Sequence, residues 1–203
     1  MTTRPAAIDI SHLPNLVSGS RGTIWWAMVL LLVVEATVFG TLIASYFYLR
    51  MTEPDWPPAG VDPPKLLLPT INTLILVASS VPVYLADTGI ARGNQRRLVA
   101  GMVAAALMAA VFLVLKVIEY SSVTYAWDSH AYGSIVWLII GFHSSHVGSV
   151  VLKTVVVAIL GARGYFTAER HLGVEINGMY WHFVVAVWIP LYLVLYWSPR
   201  LLG

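Results

Sequence analysis

AYGSIVWLIIGFHSSHVGSVVL, residues 131–152, contains no Asp, Glu, Lys or Arg and carries two histidines near its centre. A hydrocarbon core of roughly 30 Å takes about 20 apolar residues to cross as a helix, so this stretch reads as a membrane span. His143 and His146 are three residues apart and share one helical face. Ionisable rings inside a span are costly and mark either a function or a tightly packed polar contact. Both readings stand on this stretch alone.

The whole chain supports the membrane assignment. Of its 203 residues, 58% are hydrophobic and 11% are charged, and the mean hydropathy is +0.76. A soluble domain carries about 25% charged residues. Cysteine is absent, which excludes disulfides, thiolate metal sites and thiol catalysis. A net charge of +2, with the charges dispersed, gives no basis for nucleic-acid binding. The first 23 residues lack the charged, apolar, small-residue order of a cleavable signal, so insertion is expected to be driven by the first span.

Five segments qualify as spans: Thr23 to Leu49, Leu66 to Ala86, Leu98 to Val123, Ala131 to Leu160 and Ile176 to Ser198. Their apolar runs are continuous rather than alternating, so helices are expected and not a barrel. The predicted fold is an all-α integral membrane bundle of five helices. It forms a single domain over residues 23–203, after an N-terminal cytoplasmic segment 1–22. With five spans, Arg4, Arg21, Arg92, Arg96, Arg97, Arg163 and Arg170 share one side, against Arg50, Lys65 and Arg200 on the other. Basic residues favour the cytoplasm, which puts the N-terminus inside and the C-terminus outside.

Several polar residues lie inside these spans. Glu35 is about 18 Å along the first helix at 1.5 Å per residue, close to the midplane. An ionised, unpartnered carboxylate there is expensive, so Glu35 is expected to be protonated or paired. It is a candidate proton-exchanging group, a subunit or lipid contact, or a packing group. Ala36, Gly40 and Ala44 follow at four-residue spacing and permit a second helix to approach closely. Lys116 and Glu119 share a face near the outer end of the third span, as an internal pair with Lys116 reaching outward or as a proton relay. Gly141 with Ser145, and Ser144 with Gly148, are small pairs expected to favour close packing around the histidines. Lys153 is expected to reach headgroups, and Trp25, Trp26, Trp181 and Trp197 to anchor at the interfaces.

Only His143, His146 and His182 of the six histidines lie in spans. Two rings on one helix can share one metal but cannot sandwich a haem from opposite faces. The Glu-x-x-His pairs of a di-iron bundle are also absent. No catalytic residue, redox cofactor or metal is therefore expected in this chain.

Taken in order, the segments resemble subunit III of the haem–copper oxidases. Ala27-Met28 followed by Glu35 is similar to the family's first shared segment. Pro69, Asn72-Thr73 and Ser79-Ser80 resemble its second. Glu119-Tyr120, Tyr132-Gly133-Ser134 and Gly141-Phe142-His143-x₂-His146-Val147 come next. Tyr180-Trp181-His182-Phe183-Val184, Trp188 and Tyr196-Trp197 close the series. The resemblance covers about Thr23 to Trp197 and points to the five-span prokaryotic form. It implies an accessory subunit of a terminal oxidase in the prokaryotic plasma membrane, packed beside the catalytic subunit I with subunit II in the same complex. Haem and copper are then held by the partners, and phospholipid is bound by this chain. The implied roles are assembly, lipid binding, oxygen access and sustained proton uptake by the neighbour. On the same resemblance, Glu35, Lys116 and Glu119 become structural or subunit contacts, His143 and His146 packing groups, and His182 a cleft or interhelix contact.

Three positions depart from the family pattern: Val185 replaces its Asp, Ser144-Ser145 its Gly-x, and Val34 its Ser. They keep open a relative that serves a nitric oxide reductase. The polar residues themselves keep open a stand-alone proton channel or carrier.

Overall fold

The computed structural model describes residues 22–201; the expected N-terminal segment 1–22 lies outside them except for Gly22. The described residues contain helices and no strands. They are α1 (Thr23–Thr52), α2 (Leu67–Ala78), α3 (Ser80–Ala91), α4 (Gln95–Ser121), α5 (Ala131–Ala162) and α6 (Leu172–Tyr192), then a π-helical turn (Leu193–Trp197) and α7 (Ser198–Leu201). These elements form five helices long and apolar enough to cross a membrane.

α2 and α3 make one span, interrupted at Ser79. Pro82 causes the interruption, because it has no N–H to donate to the carbonyl of Ala78. Pro190 lies inside α6 without interrupting it, and the wider π turn follows at Leu193–Trp197. The helices are longer than the apolar runs imply. The second span continues through Asp87 to Ala91, and α6 starts at Leu172 rather than Ile176. The start of α4 moves back to Gln95 because the Asn94 side chain accepts the Arg97 N–H at 3.0 Å. His130 does the same for α5, its Nδ1 accepting from Gly133 N at 2.8 Å.

α6 occupies the centre and touches α1, α2, α3 and α5. Its Trp181 and Trp188 are among the largest fully buried side chains. Trp181 is therefore not an interfacial anchor: the early start of α6 carries it nine residues into the helix, where it is 1% exposed. Trp26 is half exposed. α3 and α4 approach closely at Gly101. A Cβ on Gly101 would collide with the Pro82 carbonyl oxygen and come within 2.8 Å of Ala86 Cβ, so only glycine fits.

Much of the outward surface is Leu, Ile and Val, as lipid contact requires. α1 is the least enclosed helix, with 6% of its most apolar window buried. Named contacts hold it at three heights. Trp25 Nε1 donates to Glu175 at 3.1 Å. Phe39 packs at mid-height against the rings of Phe142 and His146. Near the far end Arg50 donates to the Ser198 carbonyl at 3.2 Å and Tyr46 to Ser198 Oγ at 2.9 Å. The Tyr46 hydroxyl must be the donor, since Ser198 Oγ already donates to Val194 O.

Candidate functional site

The polar residues of the second span act as interhelical ties. Asn72 Nδ2 donates to Phe112 O at 3.1 Å. Thr73 Oγ1 receives Trp188 Nε1 at 2.9 Å, and Ser79 Oγ receives Trp181 Nε1 at 3.1 Å. Nearer the start of α6, Asn177 Nδ2 donates to Thr154 Oγ1 at 2.9 Å. A polar group buried away from water needs such a partner, and each tie fixes the rotation of one helix against another.

At mid-membrane, α1 and α5 bring Glu35 and His146 together, Oε2 to Nε2 at 3.0 Å. Both remain partly reachable, at 20% and 11% exposure. The other ring nitrogen, Nδ1, lies 2.7 Å from the Phe142 carbonyl. That oxygen can only accept, so Nδ1 carries a hydrogen. One further proton then lies between Oε2 and Nε2. Either the acid is protonated beside a neutral ring, or a carboxylate faces an imidazolium. The pair is neutral overall in both cases, which removes the cost of a lone buried charge.

His143, one turn away, does not join this pair. It is fully buried, its Nε2–H donates to Val184 O at 3.1 Å, and its ring stacks on Trp188 at 4.5 Å. The two histidines thus look toward different helices, α6 and α1. A backbone carbonyl serves His143 where the family pattern offers a carboxylate at the next position. Val185 itself sits in the apolar core.

Lys116 and Glu119 form the second cluster. Lys116 Nζ lies 2.7 Å from Glu119 Oε2 and 2.7 Å from Tyr196 Oη, and the Tyr196 hydroxyl donates to Glu119 Oε1. Lys116 was expected to reach outward; instead it is 3% exposed. Its ammonium lies 4.7 Å from the Trp188 ring centroid and 4.9 Å from that of Tyr196. A counter-charge and two aromatic faces hold it inside. Glu119, at 13% exposure, and Tyr196 also line a cavity of about 310 Å³ that reaches Asp62 and Lys65 in the α1–α2 connection.

The remaining candidates are more peripheral. His182 is exposed on α6 and interacts electrostatically with Asp87. Lys153 is exposed, with its ammonium 3.5 Å above the Tyr180 ring. Ala36, Gly40, Ala44, Gly141 and Ser145 are all exposed, and an added Cβ at Gly40, Gly141 or Gly148 would meet nothing within 4 Å. The close packing expected around the histidines is therefore not made by these glycines within the chain; it occurs at Gly101 instead. Gly101 and the Asn177–Thr154 tie were not singled out from sequence, and Tyr196 was named only within the Tyr196-Trp197 motif, not as a partner of Lys116 and Glu119.

The sequence model of cytochrome c oxidase subunit III matches residues 10–199. This chain belongs to the cytochrome c oxidase subunit III family. Cytochrome c oxidase subunit 3 of Thermostichus vulcanus is 35% identical over 174 residues, covering 85% of this chain and 86% of the relative. The Synechocystis sp. protein of the same name is 31% identical over 199 residues, 96% of this chain and 85% of its own length. The Gallus gallus protein is 31% identical over 202 residues, 96% of this chain and 75% of its own length. In this subunit III chain, the motif residues Phe142, His143, His146, Trp181 and Trp188 are among those that tie the helices together. Among the described residues no group of three or more His, Asp or Glu side chains is arranged to hold a metal ion.

Proposed function

We propose that this chain is the accessory, non-catalytic subunit III of a prokaryotic cytochrome c oxidase. It packs beside the haem- and copper-bearing subunit I, with subunit II in the same complex, in the plasma membrane. Its N-terminus is cytoplasmic and residues 23–203 form one domain. It has no redox centre of its own, and its contributions are assembly, phospholipid binding, oxygen access and sustained proton uptake by subunit I.

The observation that carries this reading is the contrast between interior and surface. The ionisable groups inside the spans find partners within the chain: Glu35 meets His146, Lys116 meets Glu119 and Tyr196, and His143 meets the Val184 carbonyl. The outward face of α1, by contrast, presents Ala36, Gly40 and Ala44 bare, beside the partly exposed Glu35. Small residues on a lipid-facing helix let a neighbouring helix approach closely. These residues, with Gly141 and Ser145 on α5, fit a contact surface for another subunit.

The test is deletion and single substitution in the native oxidase. Removing this chain should leave the haem spectrum and the initial rate of oxygen reduction largely intact, with activity declining over continued turnover. Glu35→Gln should assemble and start at the parental rate. A collapse of the initial rate in fully assembled Glu35→Gln complex would overturn the accessory role, because it would assign direct proton chemistry to Glu35.

A further inference from the structure

We propose that the cavity beneath the α1–α2 connection is a water-filled inlet through which the Lys116–Glu119–Tyr196 cluster exchanges hydrogens with the aqueous phase on one membrane face. The ligand is water, and the assignment holds whichever complex the chain joins.

Both the size and the walls of this cavity suit water. Its volume of about 310 Å³ corresponds to about 10 water molecules at roughly 30 Å³ each. Asp62, Lys65, Ser122 and Thr124 line it and are exposed, which makes them its mouth. Tyr120 and Tyr125 add hydroxyl-bearing side chains to the wall. Glu119, at 13% exposure, and Tyr196, at 1%, form the floor. A water held inside a protein needs two to four polar partners, and this lining supplies them from mouth to floor. A hydrocarbon chain in the same space would leave those groups facing an apolar surface, which is costly. The cavity of about 410 Å³ between α4 and α5 is the contrasting case. Its walls are Val, Ala, Leu and Ile alone, and a cavity so lined stays dry.

The inlet reaches below the helix ends. Ser122 caps α4 at the mouth and Lys116 lies six residues earlier, about 9 Å at 1.5 Å per residue. That is about a third of a hydrocarbon core of roughly 30 Å. At the floor, Lys116 donates to Glu119 and to Tyr196, and the Tyr196 hydroxyl donates to Glu119. A hydrogen exchanged with water at Glu119 or Tyr196 is therefore passed to Lys116, which is 3% exposed. Tyr196 is carried by the π turn Leu193–Trp197, a form of backbone that is rare and frequent at functional sites.

Trp188 ends the inlet. Its ring is fully buried, lies 4.7 Å from Lys116 Nζ and stacks on the His143 ring at 4.5 Å. Its one N–H is already given to Thr73 Oγ1 at 2.9 Å, and the Phe112 ring packs against it at 5.4 Å. Aromatic carbons hand on no hydrogen, so exchange stops at Lys116 and His143 stays outside it.

The experiment uses the full chain in native membrane vesicles, right-side-out and inside-out. Brief X-ray radiolysis in ¹⁸O-labelled water forms hydroxyl radicals where water is present, and the modified residues are mapped by mass spectrometry. We expect Tyr196 to take up ¹⁸O at least about tenfold more than Trp188 or His143, although all three are buried. The chain has no cysteine, so single cysteines report without background. Val136 and Leu195 line the cavity at 3% and 1% exposure, whereas Ile139 and Leu191, at 0%, do not line it. A membrane-impermeant methanethiosulfonate attacks the thiolate, which forms where a proton can leave to water. Val136→Cys and Leu195→Cys should react at least about tenfold faster than Ile139→Cys and Leu191→Cys, and only from the face that carries the α1–α2 connection. Unlabelled Tyr196, equal rates for the two cysteine pairs, or equal reaction from both faces overturns the inlet. Labelling of His143 to the extent of Tyr196 overturns Trp188 as its end. The radiolysis uses the unmodified chain, so it decides the matter even where a cysteine variant fails to fold.

Discussion

Removing the Glu119 carboxylate tests the outer polar cluster most directly. Lys116 is 3% exposed and has two polar partners, Glu119 Oε2 and Tyr196 Oη, both at 2.7 Å. Glu119→Gln leaves the ammonium in place without its counter-charge. Breaking a buried pair from one side costs about 3–5 kcal/mol, chiefly through the charge that remains. Lys116→Met is the milder change, because Glu119 is 13% exposed and keeps the Tyr196 hydroxyl as a donor; the lost charged hydrogen bonds make it cost about 1.5–3 kcal/mol. The double variant Lys116→Met/Glu119→Gln retains no uncompensated charge and should lie within about 1 kcal/mol of the parent chain, as apolar replacement of a buried pair often does. The assay is equilibrium unfolding of the chain in bicelles by detergent titration, run as a double-mutant cycle. Additive costs, with the double variant as unstable as the two singles combined, would refute the claim that these groups stabilise one another. Tyr196→Phe in the same series isolates the bridging hydroxyl, and should cost about 1.5–3 kcal/mol for hydrogen bonds to charged partners.

Other outcomes follow from the same contacts. Glu35→Ala strands His146 Nε2 and should cost about 1–3 kcal/mol, whereas Glu35→Gln keeps a donor for it and should cost under about 1 kcal/mol by the same unfolding assay. Gly101→Leu forces side-chain atoms into the Pro82 carbonyl and Ala86, so it should destabilise the chain by about 1–3 kcal/mol or more. At exposed Gly40 an added Cβ meets nothing within 4 Å, so Gly40→Leu should unfold no more readily than the parent, with any loss appearing only as reduced co-purification with the other oxidase subunits. Val185→Asp restores the residue type the family pattern carries, yet it enters an apolar cluster and should cost about 1–3 kcal/mol. Unchanged stability of that variant would show that a partner for the carboxyl is already in place.

The number, order and approximate limits of the spans were readable from the chain alone. Crossing a membrane is a local requirement: a run of about 20 apolar residues and a helix that satisfies its own backbone. The candidate polar residues were readable for the same reason, since each ionisable group stands out against an apolar run. Their partners were not. Glu35 meets a histidine 111 residues away, and Lys116 a tyrosine 80 residues away. Those meetings depend on how each helix is rotated, and the near-uniform apolarity of the spans gives little periodic signal for rotation. One expectation failed for that reason, as Lys116 turned inward to Trp188 and Tyr196; another failed because α6 starts at Leu172, which carries Trp181 into the core. Close packing at Gly141 and Gly148 is not made within the chain, because small residues permit an approach without requiring one. Sequence determined what crosses the membrane and which groups need partners there. The tertiary structure decided which groups meet, because only helix packing sets the rotation that aims one buried side chain at another.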